Sequence, residues 1–217
     1  MQTFTSHPGH RSALFDAMRP IGVDAPVRRA SARTVIVLDG HVSRRAFLLD
    51  RGVVQLHLRL QGSRTMLYEL VPAPAVLGLD TVLLGAVSPF LMTALTDVEL
   101  RTVDVERLRG WAVDSHTWPL LHAAERGITL ASRLRDQFHD VTRRVALLLA
   151  SYADALPEVT NLPLNNERIA ADLGIVTRTV SKAMATLQRA GTIHRTARGV
   201  YIANRPQLDQ RAARNEP

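Results

Sequence analysis

Residues 165–190, NNERIAADLG-IVT-RTVSKAMATLQRA, constrain this chain most, because two short runs of helical apolar periodicity are separated by a glycine and three residues. So little chain leaves room only for a tight turn between two crossing helices. Asn165 or Asn166 can cap the first helix, Ile169, Ala170 and Leu173 then face inward, and Gly174 supplies a backbone free to turn. The second helix starts near Thr177; Val180, Ala183, Met184 and Leu187 share its inner face and leave Arg178, Thr179, Ser181, Lys182 and Gln188 outside. This spacing predicts a helix-turn-helix, whose second helix enters the major groove of double-stranded DNA while the first lies across the backbone. Arg178 and Lys182, four apart on one face, are long enough to reach guanine acceptors. Asn166, Thr177, Thr179 and Ser181 suit phosphate contacts. Residues 191–202, GTIHRTARGVYI, read as two strands around a basic tip, a wing that sets Arg195 and Arg198 beside a phosphate backbone.

Charge points the same way. From Val141 onward there are 11 Lys/Arg against 6 Asp/Glu, whereas residues 1–140 hold 16 against 14, so the chain's net +7 is concentrated in its last third. That is the footprint of a polyanion-binding unit, since phosphate neutralisation and counterion release supply most non-specific affinity.

The first half reads as strands. In Val54-Gln55-Leu56-His57-Leu58-Arg59-Leu60 apolar and polar residues alternate strictly, which predicts one face on a core and the other in water. Residues 61–64 form a turn and Met66–Leu70 the returning strand of a hairpin. Thr34–Leu38, Ala46–Leu49 and Glu99–Val105 are further strands; with glycine punctuation and no intervening helix they suggest a small antiparallel barrel or roll. From Trp118 the period becomes helical: Leu120, Ala124, Gly127, Ala131, Leu134, Phe138 and Val141 recur at alternating spacings of four and three, a coiled-coil seam on which small residues permit close approach of a second copy. The competing placement of that stripe is against the chain's own barrel. A further helix, Val141–Leu156, is capped by Asp140 and stopped by Pro157, which makes Phe138-His139-Asp140 a candidate hinge.

At 217 residues two domains are expected, and 46% hydrophobic residues suffice for a buried core. The absence of cysteine excludes disulfides, thiolate zinc sites and thiolate-held iron–sulfur clusters. No run approaches the roughly 20 apolar residues that span a bilayer, and the N-terminus lacks a signal-like apolar core, so a cytoplasmic protein without a membrane partner is expected. No phosphate-binding glycine loop, metal-ligand cluster or nucleophile elbow argues for an enzyme.

With these residues in view, the chain resembles regulators of the cyclic-AMP receptor protein and fumarate-nitrate regulator (Crp/Fnr) family over nearly its whole length. The likeness is carried by Gly40, Gly52 and Gly78 at turns of the strand-rich half, by FHDVTRRVA at 138–146, and by ERIAADLG and TRTVSKAMATLQRAG. It implies an α+β fold: an antiparallel, cyclic-nucleotide-binding-like β-roll over residues 1–117, a dimerisation helix over 118–140 and a winged helix-turn-helix over 141–217. It also implies a homodimer on two-fold-related DNA, with RNA polymerase as a further partner. Cyclic-nucleotide binders of the family carry Gly-Glu and, about ten residues on, Arg-Ser. Here the matching effector-pocket positions are Gly78-Leu79 and Ser88-Pro89, so both charged partners are missing and cyclic AMP is not expected to bind in the usual way. No cofactor is assigned, although a haem-dependent branch would need an axial ligand from His7, His10, His41, His57 or His116. With Leu79, Val82, Leu83 and Leu84 nearby, the pattern favours a regulator without an effector or with an apolar one. An alternative from another class is a ligand-binding or adaptor protein of this fold that has lost specific DNA reading.

Overall fold

The period-2 alternation of the first half builds a roll of eight strands. A computed structural model of the chain describes residues 8–60, 64–115 and 117–213. Helix α1 (Pro8–Gly22) leads into β1 (Val27–Ala30), β2 (Val35–Val37), β3 (Arg45–Arg51), β4 (Val53–Arg59), β5 (Thr65–Pro72) and β6 (Ala75–Leu77), followed by helix α2 (Leu79–Leu84), β7 (Phe90–Ala94), β8 (Val98–Asp104) and helix α3 (Val105–Asp114). The strands pair antiparallel in two four-stranded sheets, ordered β1-β8-β3-β6 and β2-β7-β4-β5, around a core that includes Val54, Leu56, Tyr68, Val71, Met92 and Leu100. Helices α1 to α3 cover the outer side of the first sheet through Met18, Leu48, Val103, Leu108 and Trp111.

Two expectations change. The strands are not free of helices: α2 interrupts them, bounded by Gly78 at φ 75° and Gly85 at φ 62°, and its six residues are too few to show a helical period. The alternation in β4 is real, but its polar face is not in water, since Gln55 and His57 are 4% and 8% exposed. The expected hairpin forms with Val54 opposite Val71 and Leu58 opposite Met66, and residues 61–63 of its turn lie outside the described residues. Its register shifts between Leu56 and His57, which face Glu69 and Leu67. Tyr68 is therefore one residue extra on β5, a bulge that turns Tyr68 and Glu69 to the same side of the strand.

Helix α4 (Thr117–Asp136) spans about 30 Å at 1.5 Å per residue. Helix α5 (Val141–Ala155) follows, capped by Asp140, whose Oδ1 accepts from the backbone N–H of Thr142 at 2.8 Å and of Arg143 at 3.2 Å. Then come β9 (Asn161–Leu162), α6 (Asn166–Leu173), α7 (Thr177–Arg189), β10 (Ile193–Thr196), β11 (Gly199–Ile202) and α8 (Arg205–Ala213). Val145, Leu148, Ile169, Val180, Met184, Leu187, Ile193, Val200 and Leu208 form their core, which continues onto Val53, Leu67 and Leu70 on the outer face of the second roll sheet. Each such fully buried side chain contributes about 1.5–3 kcal/mol. Among the described residues no helix is long and apolar enough to cross a membrane.

Candidate nucleic-acid interface

The two helices of the 165–190 segment form as their pattern dictates. Asn165 is the cap of α6, its Oδ1 accepting from the Arg168 N–H at 2.8 Å. Gly174 ends the helix at φ 67°, a left-handed conformation that glycine adopts without strain. Ile169, Ala170 and Leu173 on α6, and Val180, Ala183, Met184 and Leu187 on α7, are all buried. The opposite face of α7 is left to solvent: Thr177, Arg178 and Lys182 are exposed, Thr179 and Ser181 half-buried. Val176 precedes α7 with no side-chain cap, so the first N–H groups of that helix lack a side-chain acceptor.

The structure brings several of the expected contacts together. Asn166 Nδ2 donates to Ser181 Oγ at 2.8 Å, tying the start of α6 to the second turn of α7, and Ser181 Oγ donates back to the Thr177 carbonyl at 3.0 Å. Strands β10 and β11 pair from Ile193–Ile202 to Thr196–Gly199, and β9 adds a third strand that the sequence pattern does not announce. Arg195 and Arg198 are exposed on this wing. Between wing and α6 runs a groove of about 440 Å³ lined by Asn165, Asn166, Arg168, Arg195, Thr196 and Arg198 among others. The exposed Arg195 and Arg198 guanidiniums and two carboxamides, with no carboxylate in the lining, suit a phosphate-bearing chain, while Arg168 is already paired with Asp172. Arg178 and Lys182 stand apart from it on α7.

The candidate effector residues are dispersed. A narrow cavity of about 40 Å³ lies between the roll interior and α4, lined by Leu56, Glu69, Gly78, Phe90, His122 and Arg126 among others. Of the four positions expected there, only Gly78 belongs to the lining. Leu79 is 1% exposed and packs with Met18 and Val82 in the core beneath α1, Ser88 closes a local turn by donating to the Phe90 carbonyl at 2.9 Å, and Pro89 is exposed. What fills the region is charge from the chain itself. Arg126 of α4 donates to Glu69 Oε2 at 2.6 Å, and the Glu69 side chain is wholly buried. The Arg126 guanidinium lies 5.1 Å from the Tyr68 ring centroid and 5.5 Å from that of Phe90, while Arg133 lies 5.8 Å from Tyr68. Burial pushes the Arg133 guanidinium down to about 10 and the Tyr68 phenol above its usual value. Sequence reasoning missed Glu69 because the bulge at Tyr68 breaks the alternation that would have placed it, and Arg126 because its partner lies 57 residues away.

Helix α4 is turned inside out. The side toward the roll carries His122, Arg126, Arg133 and Asp136, whereas Ala124, Gly127, Ala131 and Leu134 of the expected seam are exposed, together with Leu120, Leu121, Ile128 and Leu130. The stripe therefore does not pack on the chain's own roll. Phe138, 89% exposed, falls beyond the last residue of α4, which ends at Asp136, four residues short of the expected 140. Arg144 bridges that junction, donating to Gln137 Oε1 at 2.9 Å and to the Leu173 carbonyl at 2.7 Å. Of the candidate haem ligands, His41 is exposed, His57 is buried under α6, and the side chains of His7, His10 and His116 lie outside the described residues.

Comparison with known proteins agrees with this geometry. Residues 143–211 match the Crp-like helix-turn-helix domain family. Among curated protein sequences none matches the chain. A CRP-family transcriptional regulator from Thermus thermophilus superposes with a TM-score of 0.70 at 22% identity, covering 86% of this chain and 97% of that one. FixK2 from Bradyrhizobium japonicum gives 0.69 at 20% identity, covering 88% and 99%. At such identities the likeness establishes the fold. Residues 143–211 are thus similar to the Crp-like helix-turn-helix domain, and the chain as a whole has the fold of the Crp/Fnr transcriptional regulators.

Proposed function

We propose that the protein is a homodimeric, sequence-specific DNA-binding transcription regulator that is not controlled by cyclic AMP in the usual way. The observation that carries this reading is the exposed basic face of α7 and the wing, where Arg178 and Lys182 stand free of any acidic partner in hydrogen-bond reach among the described residues. Thr177, Thr179, Ser181, Asn166, Arg195 and Arg198 would hold phosphates, and Arg178 and Lys182 would meet base edges. The inverted polarity of α4 supports the dimer: an apolar stripe of small residues, Ala124, Gly127 and Ala131 with Leu134, faces outward from a helix whose polar side is already buried. The narrow cavity, occupied by the Glu69–Arg126 pair, supports independence from a cyclic nucleotide.

The test is selection of bound fragments from genomic DNA with ligand-free protein, followed by titration of the selected site. Arg178→Ala should weaken specific binding by about 1–3 kcal/mol and relax preference at one base position. Strict dependence of specific binding on added cyclic AMP would overturn the effector part of the reading. Affinity that never rises above non-specific levels and is indifferent to Arg178→Ala would favour an adaptor that has lost DNA reading.

A further inference from the structure

The polar face of β4 is where the roll meets the helix-turn-helix, and one side chain there uses both of its functional ends across the junction. Gln55 Nε2 donates to the Tyr152 hydroxyl of α5 at 2.8 Å, and its Oε1 accepts from Arg168 Nη2 of α6 at 2.8 Å. Both partners converge on Asp172, which is 2% exposed: the Tyr152 hydroxyl donates to Oδ2 at 2.6 Å and Arg168 Nε lies 2.9 Å from Oδ1. His57 Nε2, on the same face of β4, is 3.6 Å from Asp172 Oδ1. The buried carboxylate thus holds Tyr152 and Arg168 in place, and Gln55 reads the pair of them. Burial beside Asp172 pushes the Tyr152 phenol far above its usual value, which keeps its proton available for donation.

Apolar contact around this cluster, from Val53, Leu67 and Leu70, supplies area but little direction. Hydrogen bonds to a carboxamide supply direction. The only covalent link is the short α4–α5 junction at 137–140. In this docked arrangement Arg178, Lys182, Arg195 and Arg198 all remain exposed, so the contact does not cover the reading face.

We infer that Gln55 is a positioning residue for DNA reading: from β4 it sets the orientation of α6 and α7 on the roll, and hence the separation of the two recognition helices in a dimer. The inference rests on the dimeric DNA-reading proposal above. Two-fold sites present half-sites about 34 Å apart, and a head free to swivel matches that spacing only part of the time. Apparent affinity falls by the competent fraction, so losing nine-tenths of the aligned population weakens binding to a full site about tenfold. Binding to an isolated half-site is spared, because it asks for no fixed separation.

The test uses the full chain carrying Gln55→Leu, with Tyr152→Phe as a second variant that leaves Asp172 paired to Arg168. The chain has no cysteine, so spin labels can be placed at Glu106→Cys on α3 and Gln188→Cys on α7 without background. Dilution with unlabelled protein isolates the distance within one chain. The expected result is a narrow distribution in the parent that broadens at least about twofold in Gln55→Leu. Affinity for the selected full site should drop about tenfold, half-site affinity should stay within about twofold, and the preference for one half-site spacing should flatten. An unchanged distance distribution overturns the inference whatever DNA does, and so does a broadened one with an intact spacing preference. If the parent itself shows no specific binding, the functional proposal fails, while a broadened distribution still upholds Gln55 as the residue that orients the head.

Discussion

Replacing Arg126 with Met tests whether the roll holds its own charge in place of an effector. Met keeps much of the apolar stem and removes the guanidinium that donates to Glu69 at 2.6 Å and lies over Tyr68 and Phe90. The Glu69 side chain has no exposure to water, so its carboxylate loses its 2.6 Å ion-pair partner in the roll interior and is left to the more weakly coupled charge of the buried Arg133. Removing one member of such a pair costs about 3–5 kcal/mol, and loss of the cation–π contacts adds up to about 1 kcal/mol more. For a chain of this size, where 1 kcal/mol moves Tm by about 2–4 °C, the variant should melt about 10 °C or more below the parent. Urea denaturation and calorimetry measure the loss. A buried carboxylate that has lost its direct cation takes up a proton more readily, so the deficit should shrink as pH falls from about 8 to about 5. The double variant Glu69→Gln, Arg126→Met removes both charges and should recover most of the stability, giving a coupling of at least about 2 kcal/mol. A single variant within about 1 kcal/mol of the parent, or a double variant no better than the single, would refute the reasoning.

Three other perturbations have defined outcomes. Leu134→Asp should give monomers in sedimentation equilibrium, weaken full-site DNA binding and make Tm independent of protein concentration; a dimer persisting at micromolar concentration would count against the α4 seam. Gly199→Ala should cost about 2–4 kcal/mol in urea unfolding, because φ is 139° and an added Cβ would collide with the Leu162 carbonyl where β11 meets β9; a near-neutral result would mean the wing can shift. Burial, aided by Arg143, holds the His139 ring below its ordinary value of 6.5, so the unfolded chain binds more protons as pH falls. Stability is then present above about pH 6.5 and lost below it, and His139→Gln should flatten that slope in urea midpoints between about pH 7.5 and 5.5.

Much of the fold is legible in the chain itself. Local signals write the helix-turn-helix outright, since Asn165 as cap, Gly174 at the turn and Val180, Met184 and Leu187 at helical spacing all act within one or two turns of chain. Strand β4 is equally legible as a strand, but not its surroundings: alternation tells which residues share a face and is silent on what covers it, so Gln55 and His57 read as solvent-facing and yet lie under α5 and α6. The seam on α4 is visible by its spacing; that the helix buries its polar side is not, because Arg126 is compensated by a carboxylate 57 residues away. The effector positions disperse for a related reason. A family pattern lends residues by their place in a motif, and here Leu79 has gone into the core while Glu69 and Arg126 take up the space.

Leu67 and Leu70 face the helices, Glu69 and Val71 face the roll, and Tyr68 is surplus to that two-residue frame. Deleting Tyr68 would keep every other side chain of β5 on its present side, whereas deleting any neighbour short of the bulge would exchange the two sides. The strand thus contains a single codon's width of slack, and it sits at the position where one β-strand has to serve the roll and the reading head at once.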